Sequence, residues 1–209
     1  MAEARIRRWW VLPGVLFFVF YVLGVFVLGG GSPNDKAQGD KVVSYFHSHS
    51  GGAKSATLVM VAAAVSLVFF ASHLRNDLRQ AGENDPLPGV VLGGGVIAAT
   101  GLLFMAAVRF ALVKAAENGQ PDVARVLNLL DNNDFLVIVG GLATLFLSTG
   151  LAVLARTTLP KWIGVASIVL GVLTLAGPLG ILAFFLAPVW VLVIAVFLAR
   201  AESPAGARQ

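Results

Sequence analysis

Arg109 is the only charge inside a long apolar run, Pro88 to Val113. A guanidinium at such a depth is costly and marks a functional position by default. It lies near the outer end of the run, where an arginine can also snorkel to the interface. Glu117, Asp131 and Asp134 are its available counter-charges. An anionic ligand is the alternative partner. His47 and His49 form a second group, a His-x-His pair in a polar segment. Imidazoles ligate zinc and copper, and Asp131 and Asp134 complete a set if two polar segments meet. His73 lies 24 residues beyond His49. If helical throughout, that is about 36 Å at about 1.5 Å per residue. The two histidines therefore share neither a metal nor a haem, and no cofactor is expected.

Several other chemistries are excluded or weakened. The chain has no cysteine, which removes thiolate catalysis, iron–sulfur clusters and cysteine-bound zinc. Ser44, Ser48 and Ser50 flank the histidines, but neighbours along a loop do not make a catalytic triad. Asp131-Asn132-Asn133-Asp134 lacks the spacing of a calcium loop; Asn133 or Asp134 is expected to cap the helix that follows. Gly93-Gly94-Gly95 precedes no lysine–serine or lysine–threonine pair, so it is not a phosphate loop. The apolar runs hold no carboxylate, against a proton-coupled pump.

The elements that must position these groups are membrane helices. Of 209 residues, 57% are hydrophobic and 12% charged, against about 25% charged in soluble domains. Apolar runs over 9–31, 55–74, 88–113 and 135–155 each approach the length of one crossing. The stretch Trp162 to Ala199 has no charge and suits two more, 160–177 and 179–199. Gly177-Pro178-Leu179-Gly180 is the expected break between them, and Pro188 is expected to bend the last. The fold expected is an all-α membrane protein, a bundle of six transmembrane helices.

Lysine and arginine placement orients the bundle. Arg5, Arg7, Arg8, Arg75, Arg79, Arg156, Lys161, Arg200 and Arg208 fall on the side of the N-terminus. Lys36, Lys41, Lys54, Lys114 and Arg125 fall on the other. Both termini are therefore expected in the cytoplasm, with the protein in the plasma membrane. The charge is not gathered into a basic face, so no nucleic acid is expected.

Two polar segments, 32–54 and 114–134, are then outside. Each contains a short amphipathic helix, over Asp40 to Phe46 and Pro121 to Leu130. Val123, Val126, Leu127 and Leu130 share the apolar face of the second. Both are expected to lie on the outer interface, or to form a lid. A shift of 81 positions aligns Val42 with Val123 and Arg75 with Arg156, the pattern of a parallel repeat. Gly89, Gly93, Gly164 and Gly171 are expected at helix contacts, since small residues let helices approach in lipid.

Three stretches resemble a loosely defined family of small six-span bacterial membrane proteins of actinobacterial type. They are Tyr45-Phe46-His47-Ser48-His49, Arg75-Asn76-Asp77-Leu78-Arg79 and Leu159-Pro160-Lys161-Trp162-Ile163-Gly164. The resemblance implies the architecture and no catalytic residue. The leading expectation is a non-enzymatic membrane module. Its partners are membrane lipid or another apolar molecule, a membrane protein, or a second copy of the chain. The alternatives are a small transporter or channel for an anionic solute using Arg109, and a membrane enzyme with an outer His/Asp site.

Overall fold

The computed structural model describes residues 11–29, 31–80, 85–156, 159–177 and 180–201. Arg5, Arg7, Arg8, Trp9, Trp10, Pro178, Leu179 and Arg208 lie outside the described residues. The described residues form helices and no strands. In chain order these are α1 (Leu12–Tyr21), α2 (Gly39–Ser48), α3 (Ser50–Gln80), α4 (Leu87–Glu117), α5 (Pro121–Asp131), α6 (Phe135–Arg156), α7 (Lys161–Leu175) and α8 (Gly180–Ala201). Pro13 sits in the first turn of α1, where its missing N–H costs little. Without a break, α1 continues as a π-helix, Val22–Val27, closed by the Leu28 N–H on the Leu23 carbonyl at 2.8 Å.

By length and composition, α3, α4, the continuous stretch Pro121–Ala155 and α8 can each cross a membrane. Leu12–Val27 and Lys161–Leu175 are shorter apolar helices. Helices α1 and α8 pack antiparallel, as do α6 and α7. Gly14 meets Ala195, and the Tyr21 hydroxyl donates to the Phe184 carbonyl. Gly150 meets Ile168 while Gly171 meets Leu147. Trp190 of α8 donates to Ser167 of α7 at 2.8 Å. The main core, with Phe17, Tyr21, Leu67, Phe70, Leu102, Ile138, Phe146 and Trp190, runs through this bundle. The outward surface is also apolar: Leu58, Val65 and Phe69 of α3, Leu136 and Leu151 of α6, and Val165, Val169 and Val172 of α7 are exposed. Lipid tolerates such a surface and water does not.

The closest approach is between α4 and α6. A Cβ at Gly101 would lie 2.5 Å from the Ile138 nitrogen, and one at Gly94 2.5 Å from the Leu145 nitrogen. Gly141 is pressed against the Ala98 backbone in the same way. Gly164 and Gly171 lie at the α6–α7 contact. Gly89 and Gly93 make no helix contact among the described residues of the chain: a Cβ at either meets nothing within 4 Å. The expectation for these two is corrected. One residue along a helix is a rotation of about 100°, so Gly94 and Gly95 face inward while Gly93 faces out.

The outer segments also differ from the expected surface helices. Helix α4 runs on to Glu117 and stops at Gly119, whose φ of +62° suits glycine. The Gln120 N–H returns to the Ala115 carbonyl and the Gly119 N–H to Ala116, a Schellman ending. From there α5 runs back against α4 and leads through the turn Asn132–Asp134 into α6. On α5 the buried residues are Ala124 and Asn128, while Val123, Val126, Leu129 and Leu130 are exposed. Helix α2 joins α3 through the single residue His49 and packs on α4 and α5. The two outer segments thus meet. They close a second, smaller core of Val42, Phe46, Ala53, Leu112, Val113, Ala116 and Ala124. At the opposite end, Arg75-Asn76-Asp77 is helical, since α3 continues to Gln80.

Candidate functional site

Arg109 occupies the junction between the bundle and this outer cap. Its side chain is 16% exposed and that of Asp131 3%. The guanidinium forks onto the Asp131 carboxylate, Nε to Oδ1 at 3.1 Å and Nη2 to Oδ2 at 2.9 Å. Nη1 donates to the Gly29 carbonyl at 2.7 Å, and Nη2 also reaches Ser32 Oγ at 3.2 Å. The Ser32 hydroxyl donates to Asp131 Oδ2 at 2.7 Å. One side chain of α4 thus ties α5, the end of the first helix and the following loop. The antiparallel order of the Gly101–Ile138 contact carries on to residues 109 and 131, eight residues further along α4 and seven before Ile138. The π-helix ends at Val27, two residues before Gly29, whose carbonyl is free to accept because the regular helical ladder stops there.

The loop after Gly29 is held from above by amides. Asn128 is fully buried, and its Nδ2 donates to the carbonyls of Pro33 at 3.0 Å and Asn34 at 3.2 Å. Asn132 Nδ2 donates to Pro33 as well, at 3.0 Å. The Tyr45 hydroxyl donates to the Gly31 carbonyl at 2.8 Å. Asn128→Ala is expected to cost about 1–2 kcal/mol, because it removes two hydrogen bonds to the loop while the Pro33 carbonyl keeps Asn132 and the Asn34 carbonyl keeps the Ala37 N–H. A fall in the thermal midpoint in mild detergent is the check; an unchanged midpoint would mean that the loop is not held there.

The other expected site residues fall into place as follows. Glu117 pairs with Lys54 of α3 and with Lys114, the latter at 3.1 Å. Lys54 first, then Lys114, hold its carboxyl below the usual range. Asp134 is 4% exposed, and its Oδ2 has no partner among the described residues. His49 is exposed, stacked on Tyr45 with ring centres 4.4 Å apart, and its Nδ1 lies 2.9 Å from the Tyr45 carbonyl. His47 is exposed on α2. Among the described residues no three His, Asp or Glu side chains gather as a metal set. The expected capping by Asn133 is corrected: Asn132 and Asn133 donate back to the Asn128 and Leu129 carbonyls, both at 2.8 Å. They close the end of α5 rather than open α6.

Beside Arg109 lies a cavity of about 340 Å³. Leu28, Gly29 and Gly31 form one wall, Tyr45, Phe46, Ser48 and His49 of the α2–α3 joint another, and Gly51, Gly52 and Ala53 of α3 a third. The glycines keep it open, since a Cβ at Gly51 would meet nothing within 4 Å. Ser32, Asn128, Tyr45 and the Gly29 carbonyl were not marked as site groups by the sequence reading. A signal existed for one of them: Ala124, Asn128 and Asp131 recur at the spacing of one helical face. Comparison of the chain with protein families, curated proteins and solved structures finds no match.

Proposed function

We propose that this chain is a non-enzymatic membrane module that holds a lipid or other mainly apolar molecule in the cavity beneath its outer cap. The cavity between the first helix and the α2–α3 joint is the observation that carries this reading. Its volume lies at the small end of the range for ligand pockets, enough for one end of a lipid. Leu28, Phe46 and Tyr45 supply apolar wall. Arg109 supports a neutral or weakly polar occupant over a free anion, because Asp131 already neutralises it. The fork satisfies its strongest donors, so a competing anion must displace a buried carboxylate.

The same proposal takes six crossings, with the first by residues 9–31 and the fifth by 160–177. The turn at Asn132–Asp134 and the cap lie outside the membrane, and the fourth crossing begins at Phe135. Both termini are cytoplasmic and the membrane is the plasma membrane of a bacterial cell. Gly89 and Gly93 face outward, and they give the module a surface for a second copy or a membrane partner.

The test is to purify the protein in mild detergent and identify bound molecules by mass spectrometry, with Gly51→Trp in parallel. A Cβ at Gly51 meets nothing within 4 Å, and the indole is expected to fill the cavity that Gly51 lines. A lipid or apolar molecule bound to the native protein, reduced about tenfold in the variant at an unchanged thermal midpoint, is expected; about 1.4 kcal/mol of binding corresponds to that change. A native protein that carries nothing, or equal occupancy in both, would overturn the reading.

A further inference from the structure

The cap contains a carboxylate that the fold leaves without a counter-charge. Asp131 and Asp134 stand beside one guanidinium, Arg109, and that guanidinium is committed to Asp131 through both oxygens. Asp134 Oδ2 is buried with no partner among the described residues. Among the described residues Asp131 and Arg109 are the charges that act on it. From α2 comes Tyr45, whose hydroxyl is given to Gly31. From α3 comes Lys54, paired with Glu117. The described part of the first helix, Val11 to Gly29, brings only Tyr21, bonded to Phe184. The stretch Phe135 to Ala155 of α6 brings no ionisable group at all. Two negative charges and one positive charge in such surroundings require a further positive charge or a proton.

We propose that Asp134 carries a proton in the closed protein, and that losing it loosens the Arg109 latch, so that the outer cap opens in response to rising pH. When Asp134 ionises, two carboxylates compete for one guanidinium. The Nη1 bond to Gly29 and the Nη2 bond to Ser32 are those that any re-aiming of Arg109 breaks, and both hold the loop that walls the cavity. Burial foremost, then the neighbouring Asp131 charge, push the Asp134 carboxyl up to about 7, against the opposing pull of Arg109. The ordinary value for this carboxyl is 3.8. The closed form therefore binds more protons than the open or unfolded form between those values. Its stability is greatest at the acid end and falls as pH rises toward 7, levelling off above it. The device does not depend on whether the cavity is occupied.

The test is hydrogen exchange of the full-length protein in mild detergent at several pH values, corrected for intrinsic exchange and read over peptides from 31–48 and 121–134. Protection in the native protein is expected to fall about tenfold from pH about 5.5 to about 8.5. Asp134→Asn mimics the protonated side chain and is expected to stay protected throughout. An infrared titration of the native protein serves as the second measurement, should that variant fold poorly. The carbonyl stretch of a buried carboxylic acid is expected to disappear as pH rises through about 7, and to be missing from the spectrum of Asp134→Asn. Protection that is flat with pH in the native protein, or equally pH-dependent in Asp134→Asn, would overturn the proposal. So would an acid band that is already absent at pH about 5.5.

Discussion

Arg109→Ala is expected to destabilise the protein by about 3–5 kcal/mol, the usual cost of stranding one member of a buried ion pair. Asp131 is 3% exposed on its side chain, so the loss leaves a carboxylate with the Ser32 hydroxyl as its remaining partner. The loop carbonyl of Gly29 loses its donor as well. A lower thermal midpoint and faster exchange in the segments 31–48 and 121–134 are the readouts. Arg109→Lys is expected to recover only part of the loss, because an ammonium cannot reproduce the two-pronged contact. The pair Arg109→Met with Asp131→Leu removes both charges and is expected to recover more than lysine does. If Arg109→Ala keeps the native midpoint and native cap protection, the latch has no energetic standing.

The second large effect is expected at Gly141. A side chain there runs into the backbone of Ala98, and backbone cannot rotate aside. Gly141→Val is expected to cost about 3 kcal/mol, the upper end for overpacking a tight contact. Gly93→Val, where a Cβ meets nothing within 4 Å, is expected to stay within about 0.5 kcal/mol of the native protein. Thermal unfolding of the two variants side by side decides it. Equal stabilities would mean that α4 and α6 are not in close contact. The α4–α6 register also sets residue 109 opposite residue 131. Gly141→Val is therefore expected to loosen the cap as well as the bundle.

The helices were legible because apolar runs of spanning length carry a strong signal. The end of α7 was legible from Gly177. What the sequence could not supply was which face of each helix looks inward. On α5 the apolar periodicity alone does not decide it. Val123, Val126 and Leu130 turn outward while Asn128 goes in. The same ambiguity displaced the glycine contacts from Gly93 to Gly94. Arg109 was recognisable as a site, yet its partner was one of three acids until the α4–α6 register was known. The Gly29 carbonyl had no signature in sequence, because a π-helix is a departure from the regular ladder that composition does not announce. Residues 32–54 and 114–134 read as separate polar segments. Their meeting rests on Val42, Phe46 and Leu112, which are ordinary apolar side chains until they are placed together.

The cap and the cavity are proposed to lie on one side of a six-crossing bundle, opposite the ends of α3 and α6. Because the chain has no cysteine, single cysteines can be introduced into an otherwise unreactive protein. Ser48→Cys lies in the cap, Gln80→Cys at the end of α3, and Ala176→Cys just after α7; all three positions are exposed. Intact cells are treated with a membrane-impermeant maleimide, and labelling is compared with that in opened cells. Cys at positions 48 and 176 is expected to be labelled in intact cells, and Cys at position 80 only after opening. Labelling of position 80 from outside, or shielding of position 176 while position 48 is labelled, would contradict that placement.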